Sequence, residues 1–203
     1  MNVLSEFYTL NTRISNNPIC VTSDKVNMDN YQSLISGNIE VFNFPIVFKQ
    51  TSGKKYTDIL ESTTGSTLVV SDKLIKLLKE NNITGWKTYP TIIYDKYGEE
   101  IKGYNGFSIT GKCGATDYSK SRIIQKRFVE NGPLVDIYLG KHIGLYSWDG
   151  SDIFIEEGTL FFIITKKVAD ILKKNKITNY EVINLADFEI NVATIELMCY
   201  NCD

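Results

Sequence analysis

Hydrophobic and polar positions follow the same order in two separate stretches of this chain. The runs "TLVV", ending at Val70, and "TLFFII", ending at Ile164, have the length and branching of buried strands. A hydroxyl residue comes next in each, Ser71 or Thr165, placed to cap a helix with its side-chain oxygen. Leu74, Ile75, Leu77 and Leu78 then share one stripe, with Lys73, Lys76, Lys79 and Glu80 on the solvent side, and Val168, Ile171 and Leu172 repeat the stripe. The pattern predicts helices over 71–82 and 165–175, each followed by an "IT" pair that leads into a second strand.

The two stretches are copies of one element. "LVVSDKLIKLLKENNITGW" aligns without a gap on "FIITKKVADILKKNKITNY", with identities at Lys73 and Lys167, Leu78 and Leu172, Asn81 and Asn175, Ile83 and Ile177, and Thr84 and Thr178. Gly85 and Asn179 correspond as the two residue types that most readily take positive φ. A strand, a crossover helix and a further strand usually place the two strands parallel, with the helix on one sheet face. The expected fold is therefore α+β or α/β, with mixed sheets around two short strand-helix-strand units and β-rich sequence elsewhere. One domain of two related halves, roughly 39–110 and 121–203, accommodates them.

Elsewhere the pattern is that of strands and turns. "WKTYPTIIYD" and "IKGYNGFSIT" predict a hairpin around Gly98, and "GPLVDIYLGKHIGLYSW" predicts two further short strands. "IEVFNFPIVFKQ" alternates like a strand, and Pro45 assigns it to a sheet edge or a bulge.

Composition narrows the functional classes. The 203 residues, 43% apolar and 23% charged, suffice for a sizeable core. A formal charge of −2, from 22 Lys and Arg against 24 Asp and Glu, and the lack of a long basic stripe argue against a nucleic-acid partner. The opening "MNVLSEFYTL" is acidic where a signal peptide is basic, which predicts a cytoplasmic protein, and no run is long enough for a membrane helix. Four cysteines, Cys20, Cys113, Cys199 and Cys202, are too few and too uneven for a disulfide framework. Cys199 and Cys202 make half of a zinc-ribbon pattern without its other half, so no metal site is predicted.

Three stretches could carry chemistry or binding. "GFSITGKC", Gly106 to Cys113, follows the phosphate-loop pattern except at its last position, where Cys113 replaces the hydroxyl that would meet Mg²⁺. The following "GATDYSKS" has no helical period to hold a phosphate, so no cofactor is predicted, and Gly103, Gly106, Gly111 and Gly114 read as turn and close-packing positions. Cys113, next to Lys112, could act as a nucleophile with His142 as base and Asp117 or Asp136 as orienter; the alternative is a buried structural thiol. In "YSWDGSDIFIEEG", Trp148 stands among Asp149, Asp152, Glu156 and Glu157, an aromatic anchor inside an acidic rim suited to a protein partner. Asx-type turns are the structural alternative there. Trp86 and Tyr104 form a second candidate partner surface.

"VVSDKLIKLLKENNITGWKTYP", "GYNGFSITGKCG", "YSKS", "WDGSDIF" and "TKKVADILKKNKITN" together resemble the immunity proteins of bacterial polymorphic toxin systems. The match rests on a repeated S-x-x-L-x-x-x-L element followed by I-T-G-x-x-x-x-P, and it extends from about Asp58 to Tyr180. The second copy departs from it at Asn179, in place of the glycine, and Asn184, in place of the proline. The resemblance implies a cytoplasmic protein that binds a cognate toxin domain and blocks it without catalytic residues, cofactor or metal of its own. A small hydrolase or transferase using Cys113 and His142, or the carboxylates near Trp148, is the alternative.

Overall fold

A computed structural model describes residues 3–12, 17–27, 30–40, 42–63 and 68–195. Its first elements are β1 (Phe7–Thr12), β2 (Cys20–Thr22), α1 (Tyr31–Ile35), β3 (Ile46–Ser52), β4 (Ile59–Ser62), β5 (Leu68–Ser71), α2 (Asp72–Glu80), β6 (Trp86–Tyr89), β7 (Thr91–Tyr94), β8 (Tyr104–Ile109) and β9 (Gly111–Cys113). There follow β10 (Arg122–Lys126), β11 (Val135–Leu139), β12 (Ile153–Glu156), β13 (Phe162–Thr165), α3 (Lys166–Lys174), β14 (Tyr180–Asn184) and β15 (Glu189–Asn191). The fold is a mixed α+β one dominated by its sheets. The strands run in the orders β6-β8-β5-β4-β2-β3-β7, β14-β1-β13-β12-β9 and β10-β11-β15.

Both repeats fold as read, and their sheets match residue for residue. Ile59 pairs with Val70 and Leu60 with Val69, as Ile153 pairs with Ile164 and Phe154 with Ile163. β5 and β6 are parallel to each other because each is antiparallel to β8, which lies between them. In the second sheet the intervening strand is β1, from the opposite end of the chain. Phe7 faces Thr165 as Tyr104 faces Ser71, and Thr12 faces Tyr180 as Ile109 faces Trp86. The first unit is thus completed by a strand that follows it, and the second by the N-terminal strand. Bounds of 39–110 and 121–203 leave out β1, which the hydrogen bonding assigns to the second sheet.

Strand alternation distributes the core. Ile59, Leu68 and Val70, with Ile153, Phe162 and Ile164, face a shared core that also takes Leu74 and Leu78 of α2 and Val168 and Leu172 of α3. Their neighbours face outward into separate clusters, Leu60 and Val69 with Phe48 and Ile93, and Phe154 and Ile163 with Phe7 and Leu185.

Local chemistry explains the helix ends and one asymmetry. The Ser71 hydroxyl accepts from Leu74 N at 3.2 Å, the expected cap, whereas Thr165 makes no cap bond and its hydroxyl instead donates to Asp152. Gly85 and Asn179 both have positive φ, +86° and +65°. A Cβ at Gly85 would lie 2.0 Å from the Ile153 carbonyl oxygen, while Asn179 uses its amide to donate to the equivalent Ile59 carbonyl at 2.8 Å.

Three local expectations change. β3 is interior, between β2 and β7, and not an edge; its register against β2 does shift between Gln50 and Ser52, but Pro45 precedes its first residue and so removes no ladder bond. The turn at Gly98 joins only a bridge between Tyr94 and Glu100, because β7 pairs with β3 and β8 with β5 and β6. Of the two strands expected over 132–148 only β11 forms, and Leu145–Ser147 is a 3₁₀ turn.

Candidate functional site

The acidic aromatic segment turns Ser151, Ile153, Phe154 and Glu156 inward and leaves Tyr146, Asp149 and Glu157 exposed. Trp148 is half-buried, edge-on to Phe7 at 5.3 Å and tilted against Phe154 at 5.7 Å, and its Nε1 donates to the Ser151 carbonyl. Asp149 accepts from Lys112 N and from the backbone and hydroxyl of Ser151. Burial acts to raise its pKa, but the Ser151 and Lys112 bonds outweigh it and hold the carboxyl below the ordinary value. Asp152 accepts from Thr84, and Asp149 and Glu157 are the two exposed acids of the four. The Asx-type geometry is the one realised here.

Glu156 cannot belong to an acidic rim, because it is 2% exposed. It meets Lys141, which is fully buried, at 2.6 Å, and it also accepts from Thr116 N and the Thr159 hydroxyl. The Lys141 ammonium lies 4.3 Å from the ring centre of Phe161 and 5.5 Å from those of Tyr118 and Phe188. Burial holds the Lys141 pKa down, and the Glu156 charge opposes that shift. The pair ties β12 to the segment after β11, an arrangement that composition gives no means of reading.

Trp86 and Tyr104 of the second candidate surface are each half-buried and make contacts within the fold. Trp86 stacks on Phe107 at 5.5 Å and donates to the Ile83 carbonyl, and the Tyr104 hydroxyl donates to Thr57 O at 2.9 Å. Burial, with Asp58 and Tyr56 nearby, pushes the Tyr104 pKa up to about 12.

Cys113 is 3% exposed on β9, and burial together with the Glu156 charge pushes its thiol up to about 12. It lies under a depression of about 620 Å³ that Lys112, Ser147, Glu157 and Thr159 also line. His142 lines a different depression, of about 650 Å³, with Val3, Asp117, Lys120 and Tyr146. Asp117 uses its carboxylate on Ser119 and Lys120, and Asp136 accepts from Gln125. A thiol that burial holds protonated is poorly suited to nucleophilic attack.

The phosphate-loop-like run forms β8 and β9 rather than a loop opening a helix. A Cβ on Gly106 would come within 1.9 Å of the Tyr89 ring, and one on Gly111 within 2.3 Å of the Ile153 carbonyl, so both glycines serve close packing. Among the described residues no group of three His, Cys, Asp or Glu side chains is placed to hold a metal, and no helix is long and apolar enough to cross a membrane. Cys199 and Cys202 lie outside the described residues.

Four exposed large apolar side chains fall within one short stretch, 123–134, that the candidate motifs did not include. β10 and β11 form a hairpin whose connecting segment carries Phe128, Val129 and Leu134 at 63%, 66% and 51% exposure, with Ile123 on β10 at 57%. The cue was present in the sequence: "RIIQK" and "VDIYL" flank Asn131-Gly132, a hairpin signal, and the connection holds three large apolar residues where turns are ordinarily polar. Comparison with known proteins finds no matching family model and no matching curated sequence.

Proposed function

We propose that this protein is a binding protein of the immunity type, which neutralises a cognate bacterial toxin domain by docking on it through the β10–β11 hairpin. The observation that carries the reading is the concentration of exposed apolar side chains there: Phe128, Val129, Leu134 and Ile123 stand outside the three core clusters. Apolar side chains left exposed in numbers on one hairpin mark a candidate interaction site. The repeated element supports the toxin-directed form of the reading through its resemblance to immunity proteins. The alternative enzyme reading loses support from the buried, protonated Cys113 thiol and from Glu156 being committed to Lys141.

Co-expression of the chain with the product of the adjacent upstream gene tests it. The expected result is a complex that co-purifies and protection of the host from that product's toxicity. A co-expressed product that stays toxic and unbound would overturn the reading.

A further inference from the structure

β10 is an edge strand. In the order β10-β11-β15 only β11 pairs with it among the described residues, so alternate backbone N–H and C=O groups of Arg122–Lys126 face away from the sheet. Such an edge is a template for a further strand. Three features of the strand identify what fits it.

Charge is the first. Lys120, Arg122, Lys126 and Arg127 fall within eight residues that contain no acid, in a chain whose net charge is −2. Lys120 and Lys126 form exposed ion pairs with Asp117 and Glu189, of a kind that contributes little and exchanges readily for another carboxylate. Arg122 and Arg127 are exposed. The second feature weighs against a second copy: antiparallel self-pairing across all five residues would put Arg122 opposite Lys126 at both ends, and like charges in direct opposition are destabilising. The third is the apolar centre. Ile123 and Ile124 lie between the two cations, and Ile123 shares a face with Tyr138 and Ile190 across the sheet.

We propose, on the basis of the binding reading above, that the partner adds an extended acidic segment to β10 as a fourth strand. Run antiparallel, that segment carries an acid opposite Lys126, any residue opposite Gln125, apolar residues opposite Ile124 and Ile123, and an acid opposite Arg122. Main-chain bonds to the edge hold it, the spaced carboxylates set its register, and Phe128 and Val129 at the hairpin end extend the apolar contact.

The test uses the full chain, isotope-labelled, with two capped peptides as probes: one carrying the core Glu-Thr-Val-Ile-Glu and one with both glutamates replaced by lysine. The acidic peptide is expected to shift the amide signals of 122–126 and to bind roughly tenfold or more tighter than its lysine counterpart. The double variant Arg122→Glu, Lys126→Glu, shown to keep its melting temperature, is expected to reverse that preference. Equal binding of both peptides, or shifts confined to other residues, would overturn the proposal. So would salt-sensitive binding of oligothymidylate at the same residues without peptide binding, which would assign the edge to nucleic acid. Concentration-dependent dimerisation would assign it to a second copy, and peptide binding seen only after removal of 196–203 would assign it to the chain's own tail. A toxin complex that survives the charge reversal would remove strand addition and leave the immunity reading standing, whereas peptide binding without any toxin complex would do the opposite.

Discussion

Asp58 and Asp152 hold each other's half of the molecule. The Asp58 carboxylate accepts from the backbone N–H and hydroxyl of Thr178, at 2.9 and 3.0 Å, and from Ser71 and Lys73 of its own half. Asp152 does the same in reverse, accepting from the N–H and hydroxyl of Thr84 and from Thr165, with Lys167 at 3.5 Å. Two crossed caps of this kind fix the relative position of the two repeated units around the core they share.

Replacing either carboxylate should therefore loosen the whole domain. Asp58→Ala and Asp152→Ala are each expected to destabilise by about 1.5–3 kcal/mol, since each leaves a threonine N–H without its charged acceptor. Thr84→Val and Thr178→Val keep the N–H bond and should lose less. Urea unfolding measures all four, and changes within about 0.5 kcal/mol for the aspartates, the range of ordinary surface substitutions, would contradict the crossed-cap account.

The shared core makes the two helices equivalent. Leu78 and Leu172 are 1% and 2% exposed and meet in it. Leu78→Ala and Leu172→Ala should each cost about 2–5 kcal/mol. A loss at one site alone, read from the same unfolding curves, would mean that only one repeat carries the core.

The Lys141–Glu156 pair should be costly to break on one side only. Glu156→Gln or Lys141→Met alone leaves a buried charge without its partner, at about 3–5 kcal/mol, whereas replacing both with apolar residues should recover much of that. Single and double variants that simply add would show that the two groups do not depend on each other.

Cys113 gives a pH signature. Its folded pKa of about 12 lies above the ordinary 9.0, so its contribution is complete below pH 9 and is lost as pH rises from about 9 to about 12. Cys113→Val should remove that part of the alkaline loss, since Val21 already occupies the corresponding place on β2, parallel to β4 as β9 is to β12. Thermal melts across that window compare parent and variant. Identical alkaline slopes, or rapid alkylation of Cys113 in the native protein, would refute a buried thiol.

The repeated strand and helix were legible because their stripes, caps and positive-φ positions are local: Leu74 and Leu78, Ser71, and Gly85 matched with Asn179 each depend on near neighbours. What was not legible depends on distant pairing. β1 joining β13 and β14 and Glu156 finding Lys141 both follow from the three-dimensional order of strands, which periodicity does not encode. Trp148 illustrates the same limit: an aromatic among acids has the composition of an interface, and only the positions of Phe7 and Phe154 show that it packs against a core cluster.

The central claim is that the protein binds its partner through the β10–β11 hairpin. The direct measurement is the affinity of the co-expressed toxin product for Phe128→Ser, Val129→Ser, with the melting temperature confirming a folded variant. The expected result is a weakening of about 2 kcal/mol or more, as for removal of two apolar anchors from an interface, together with loss of protection in cells. A folded double variant that binds the toxin as tightly as the parent and still protects would contradict it.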